Sequence, residues 1–248
     1  MTYCCGILVN EGLVMIADTR TNAGIDNIST FRKLTVFEKP GEHVMMIASA
    51  GNLSVTQSVL NLITEGLANP ETKALERLED MPSMFEAAQL IGRAVRKVRH
   101  MQEEAYQQSS VSFEVSFLFG GQIKGRRLRL FMIYTAGNFI ECTQDAPFLQ
   151  IGEHKYGKPI LDRAINYDMD IADALKIGLI SMDSTIKSNL GVGLPIDVAV
   201  AARDQQRLTV NTRIGNNDPY FNSLRESWSK ALRDAHIAIP RPPYGQPA

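Results

Sequence analysis

The residue with the clearest chemical prospect in this sequence is the threonine at position 2. A small second residue permits removal of Met1, which would leave Thr2 with a hydroxyl and an α-amine on one residue. A hydroxyl is a weak nucleophile until a base takes its proton, and an N-terminal threonine carries that base itself. The unperturbed amine titrates at roughly 7.7–8.0, so about a tenth of it is neutral at pH 7. A nearby cation lowers that value and enlarges the neutral fraction. Lys33 is a candidate for the cation, and Asp18 for the anion that holds Lys33 in place.

Other chemistry has less support. The chain lacks the phosphate-loop, dinucleotide-loop, His-Glu-x-x-His and Gly-x-Ser-x-Gly patterns. Gly191-Val192-Gly193 precedes a strand and not a helix N-terminus, so a phosphate role there is weak. His43, His100, His154 and His236 have no ligand spacing and read as ordinary surface or capping residues. Cys4 and Cys5 are neighbours on a strand and point to opposite faces, and Cys142 stands alone. That pattern predicts reduced thiols in a cytoplasmic protein, with neither a disulfide framework nor a zinc site. No metal or organic cofactor is implied. Arg93, Arg96, Lys97, Arg99 and His100 share the polar side of a long helix opposite Ile91, Val95 and Val98, as a solvated face or a subunit contact does.

Lys and Arg number 26 against 27 Asp and Glu, a net charge of −1, whereas a nucleic-acid or anionic-membrane binder carries a basic excess. The apolar runs, such as 44–50, fall far short of the ~20 residues that a bilayer requires, and no signal peptide is recognisable.

The elements that must position Thr2, Asp18 and Lys33 follow from hydrophobic period. The first hairpin is expected over 2–9 and 13–17 around Asn10-Glu11-Gly12, with no leader before it. A polar loop spans 18–32 and contains Thr19, Thr21, Asn22, Gly24 and Asn27. Strands over 33–37 and 43–50 flank Pro40-Gly41. Helical spacing begins after Gly51, with helices over 52–67 behind an Asn52 or Ser54 cap and from Ser83 to about Tyr106. Ser83 and Glu86 make a capping box. Strands return with Phe113, Val115, Phe117 and Phe119, then a turn at Gly120-Gly121 and a strand over 128–136, with a second turn at Lys124-Gly125. Helices over 156–166 and 170–187, strands over 196–202 and 208–213, and a helix over 220–236 complete the domain, 1–238. A proline-rich tail, 239–248, follows. This order predicts an α/β (α+β) fold: one four-layer α/β/β/α sandwich, with helices covering the outer face of each of two sheets.

Thr2, Ile16-Ala17-Asp18-Thr19-Arg20, Arg32-Lys33-Leu34, Ile47-Ala48-Ser49-Ala50-Gly51 and Ile196-Asp197-Val198-Ala199-Val200 resemble, in order and spacing, the proteasome β-type subunits. The Met-Thr start and the tail resemble most the bacterial proteasome homologues called Anbu, the ancestral β-subunit type. The likeness runs through about Arg213. It implies the N-terminal-nucleophile hydrolase sandwich and a ring or open spiral of identical subunits. It implies Thr2 as nucleophile, Lys33 as the residue that tunes it and Asp18 as the residue that positions Lys33. Substrate peptide would lie as an added strand along Thr19 to Asn22, Thr21 included. The oxyanion donor would be a backbone amide in the Ser49 to Gly51 turn, either Ser49 or Gly51. Peptides or unfolded proteins are the implied substrates, and an unfoldase partner follows by analogy only.

Two positions depart from that family. Its Gly-Ser-Gly reads Gly152-Glu153-His154 here, and its supporting aspartate and serine fall on Asn189 and Val192. Asp183, Ser184 and Ser188 are near enough in sequence to take over support. The expectation is thus a threonine-type peptidase. The alternatives are an amidase or acyl-transfer enzyme, and a catalytically weak assembly or binding subunit.

Overall fold

The computed structural model describes residues 1–22, 28–108 and 113–244. Gly24 and Asn27 of the polar loop, and the last four residues of the tail, lie outside the described residues. In chain order the strands are β1 (Tyr3–Val9), β2 (Gly12–Asp18), β3 (Arg20–Asn22), β4 (Ile28–Thr30), β5 (Leu34–Lys39), β6 (His43–Gly51), β7 (Leu67–Ala68), β8 (Leu75–Glu76), β9 (Val115–Ile123), β10 (Arg129–Ile133), β11 (Phe139–Glu141), β12 (Phe148–Gly152), β13 (Ile196–Ala202) and β14 (Leu208–Ile214). The helices are α1 (Leu53–Glu65), α2 (Met84–Gln108), α3 (Lys158–Ala164), α4 (Ile171–Ser188) and α5 (Pro219–Ala238).

One antiparallel sheet runs β12-β1-β2-β13-β14 and the other β11-β10-β9-β6-β5. Alternation along each strand sorts the side chains into layers. On β1, Cys4 and Leu8 face the space between the sheets, while Tyr3, Cys5, Ile7 and Val9 join Leu161 of α3, Ala174 and Met182 of α4 and Phe221 of α5. On β6, Val44, Met46, Ala48 and Ala50 face the same inter-sheet space, and Met45 and Ile47 pack against Val55 of α1 and Ile91 of α2. Both faces of these strands are therefore covered, which is why their sequences read as nearly unbroken apolar runs. Each large apolar side chain so enclosed contributes about 1.5–3 kcal/mol relative to exposure. The layers are α/β/β/α, as the element order predicts.

Local signals set the helix starts. Asn52 Oδ1 accepts from the Ser54 and Val55 amides, Asp170 from Ala172 and Asp173, and Ser83 Oγ from Glu86. Such a cap stabilises a helix by about 1 kcal/mol. Three expectations are corrected. Gly120-Gly121 is no turn: β9 passes straight through it and the chain reverses at 124–127. The glycines serve close packing instead, since a Cβ at Gly120 would lie 2.6 Å from Leu13 and one at Gly121 would collide with the Val44 carbonyl. β10 stops at Ile133, short of Ala136, because Tyr134 and Gly137 close a turn. The polar loop contains the paired strands β3 and β4. β11 and β12 arise in a stretch without clear period, where pairing with β10 and β1 defines them.

Candidate active site

The end of β2 and the start of β5 come together beside the first residues of the chain. Asp18, the last residue of β2, is fully buried, and Lys33, just before β5, is 6% exposed. Asp18 Oδ1 accepts from Lys33 Nζ at 2.8 Å and from the Tyr3 amide at 3.0 Å. Tyr3 follows Thr2, so one oxygen links the lysine to the peptide bond that Thr2 makes. Lys33 Nζ also donates to the Arg20 carbonyl at 2.6 Å, which uses two of its three N–H donors. Burial pushes the Asp18 carboxyl above the usual carboxylate value, while the Lys33 charge and hydrogen bond, the Tyr3 amide and the Gly193 amide each pull it back. Asp18 Oδ2 is buried without a hydrogen-bond partner among the described residues, so the Gly193 amide acts on it from outside hydrogen-bond geometry.

Thr2 is half-buried, and its carbonyl accepts from the Glu153 amide at 2.7 Å. Strand alternation places its side chain on the side of Cys4, toward the inter-sheet space. Cys4 itself is sealed, and burial, with the Asp18 charge second, pushes its thiol up.

Ser49 and Gly51 differ in what their amides can do. The Ser49 amide donates to the Lys33 carbonyl at 3.0 Å and the Asn52 amide to Glu114 at 2.9 Å. Alternate amides of a strand point to opposite edges, so the Gly51 amide points to the Ser49 edge. β5 does not extend that far, and Phe31, which continued pairing would set opposite, donates to the Thr19 carbonyl instead. Gly51 is exposed, has φ of 107° and would drive a Cβ into the Glu114 carbonyl. Thr21 lies on β3 opposite Ser29 and is half-buried.

The residues suggested as further support are dispersed. Asp183 is turned to α5, where Arg225 Nε pairs with it at 2.6 Å with only 1% of the carboxylate side chain exposed. It is therefore already committed. Ser188 is exposed at the end of α4 and Ser184 is half-buried on it. Asn189 caps α4 and donates through Nδ2 to Glu153 Oε2 at 3.0 Å, so the two family departures touch each other. In the basic helix face, Arg93 is paired with Glu76, and Arg96 donates to the Gly137 carbonyl.

Sequence reading missed Arg20 and Gly193. Arg20 lies where a Gly193 Cβ would stand and donates to the Leu190 carbonyl at 3.0 Å. It thereby pins the loop whose amide faces Asp18. The only sequence signal was a glycine two residues before Pro195. A cavity of about 650 Å3 opens along β12, lined by residues including Tyr134, Gln150, Gly152 and His154, but by none of Asp18, Lys33 and Gly51. Among the described residues no three His, Cys, Asp or Glu side chains gather as a metal site, and no helix is long and apolar enough to cross a membrane.

The profile of the family described as Proteasome subunit matches residues 2–201. Comparison with curated proteins finds no match. Among solved structures, Anbu from Hyphomicrobium sp. strain MC1 is 48% identical over 96% of this chain and 98% of its own, with a TM-score of 0.87. Anbu (ancestral beta-subunit) from Yersinia bercovieri is 45% identical over 98% and 100%, with a TM-score of 0.89. The helical assembly of the Anbu complex from Pseudomonas aeruginosa contains a chain 42% identical over 99% and 100%, also at 0.89. The expected proteasome-type sandwich and the expected likeness to Anbu both hold.

Proposed function

The chain belongs to the proteasome subunit family, and from that premise we propose that it is a threonine-type peptidase working within an assembly of its own copies. Thr2 is the nucleophile once Met1 is removed. Its α-amine takes the Oγ proton as Oγ attacks the substrate carbonyl, and returns that proton to the leaving amine. The Gly51 amide receives the oxyanion of the tetrahedral intermediate, where removing such a donor typically costs a hundredfold or more, about 3 kcal/mol. Water, activated by the same amine, then releases the acyl group from Thr2. Lys33 supplies the positive charge that keeps the amine available, and Asp18 holds Lys33. Substrate lies along β3 beside Thr21, paired through main-chain hydrogen bonds.

The observation that carries this reading is the shared Asp18 oxygen, which ties Lys33 to the peptide bond after Thr2. Self-assembly is supported by the helical assembly of the Pseudomonas aeruginosa Anbu complex. A cytoplasmic site of action rests on the pattern of the three cysteines, and an unfoldase partner on the resemblance alone. The test is hydrolysis of a peptide library, with labelling of Thr2 by an electrophile directed at N-terminal threonine, in wild type and Thr2→Ala. Loss of both signals by a thousandfold or more in the variant is expected. Equal activity in the two would sink the reading.

One observation favours a non-enzymatic assembly subunit. A Cβ at Gly191 would lie 2.6 Å from the Met1 Cβ, so the glycine leaves Met1 a seat. Intact mass showing Met1 on most of the isolated protein would put that reading first, because the amine base would then be blocked.

A further inference from the structure

The first two residues sit between two segments that are themselves joined. On one side the Glu153 amide holds the Thr2 carbonyl. On the other, the point a Gly191 Cβ would occupy is 2.6 Å from the Met1 Cβ and 3.1 Å from Asn189 Oδ1, so Asn189 and Met1 are neighbours. The Asn189 amide is fixed at both ends: Oδ1 accepts from the Gly191 amide at 2.9 Å and Nδ2 donates to Glu153 Oε2 at 3.0 Å. The other carboxylate oxygen, Oε1, lies 3.2 Å from Lys155 Nζ. The Glu153 side chain is only 10% exposed, but that of Lys155 is 69% exposed. Water therefore screens the lysine and leaves much of the Glu153 charge acting inward.

We propose that Glu153, oriented by Asn189, is a positioning residue for Thr2 that keeps the Thr2 α-amine protonated to higher pH, in opposition to Lys33. The inference rests on the reading of Thr2 as the reacting residue. The charged and titratable groups on the segments that meet the start of the chain are Asp18 from β2, Lys33 ahead of β5, Arg20 from β3, and Glu153, His154 and Lys155 after β12. Lys33 and Arg20 disfavour the ammonium. Asp18 Oδ1 is already bonded to Lys33 and the Tyr3 amide, and Glu153 is the second carboxylate that answers them. An opposite charge within about 4–6 Å of an amine raises its pKa by about one unit or more.

The experiment uses the full chain beginning at Thr2, released by cleavage of an N-terminal fusion. The pH dependence of Thr2 amine acylation by an amine-directed ester is read by mass spectrometry of the N-terminal peptide. Glu153→Gln is expected to move the midpoint down by about one pH unit, and Asn189→Ala down by less. Lys155→Met, on the exposed side, is expected to move it up, and it serves alone should Glu153→Gln fail to fold. Midpoints unmoved in Glu153→Gln, or unmoved or moved down in Lys155→Met, would overturn the inference. Hydrolysis is assayed on the same samples. Shifted midpoints without any Thr2-dependent hydrolysis would sink the peptidase and leave this inference standing, and Thr2-dependent hydrolysis with unshifted midpoints would do the reverse.

Discussion

Lys33 Nζ stands 2.8 Å from Asp18 Oδ1 with almost nothing of either side chain exposed to water. Such a pair is weak evidence of stability by itself, since desolvation offsets much of its attraction, but removing one partner strands the other. Lys33→Met is therefore expected to destabilise the fold by about 3 kcal/mol in chemical denaturation. The double variant with Asp18→Leu should lose less than the two single losses combined. Strict additivity would mean that the two charges are not coupled.

Acid should affect this pair in an unusual direction. Burial places the Asp18 carboxyl above its ordinary value of 3.8 even with Lys33 beside it. The folded protein thus holds a proton on Asp18 where the unfolded chain has lost it. This group's contribution to stability falls as pH rises from the unfolded to the folded value, and returns as pH falls. Asn at position 18 does not titrate. The stability of wild type minus that of Asp18→Asn should increase from neutral pH down to about pH 4, measured by urea unfolding at each pH. A difference that shrinks on acidification would contradict the assignment.

The cysteines give a third expectation. Cys4 and Cys5 are completely buried on opposite faces of β1. Burial pushes the Cys5 and Cys142 thiols up to about 12 and raises Cys4 well above its ordinary value. A thiolate is the reactive form, so native protein at mildly alkaline pH should resist an alkylating reagent. Denatured protein should react at all three positions. Rapid labelling of any one in the native state, counted by intact mass, would show that its layer opens.

What the sequence made legible follows physical range. The layers could be read because the order of strand and helix segments is clear, and β1, β2 and β6, buried on both faces, read as nearly unbroken apolar runs. The Asp18–Lys33 pair could be anticipated because both residues sit at strand ends, where apolar pattern gives way to charge. β12 could not: Phe148-Leu149-Gln150-Ile151 lacks a clean period, and its strand character comes from pairing with β1. The Gly120-Gly121 pair misled because glycine serves turns and tight inter-strand packing alike. Glu153 and Asn189 were visible only as two separate departures from a family pattern. Their hydrogen bond spans 36 positions and joins the end of α4 to the residue after β12. Arg20 over Gly193 belongs to the same class, a contact between loops that no local period announces.

The choice between Ser49 and Gly51 yields the prediction that bears most directly on turnover. An oxyanion donor must be free to meet charge that appears only in the transition state. The Ser49 amide is already held by the Lys33 carbonyl at 3.0 Å, and its side chain is buried, with Oγ 3.5 Å from that same carbonyl. Ser49→Ala therefore leaves the backbone arrangement intact and should change kcat by less than about threefold. Gly51 differs in each respect: its amide points past the end of β5, and its position admits no Cβ without moving Glu114. Gly51→Ala should lower kcat a hundredfold or more, with KM changed far less, because the lost interaction belongs to the transition state. Since the same substitution strains a backbone at φ of 107°, thermal unfolding must accompany the kinetics. A variant that stays folded at the assay temperature and keeps wild-type kcat would contradict the displacement of this amide by a Cβ. A large loss in Ser49→Ala would instead show that the Lys33–Ser49 contact shapes the site.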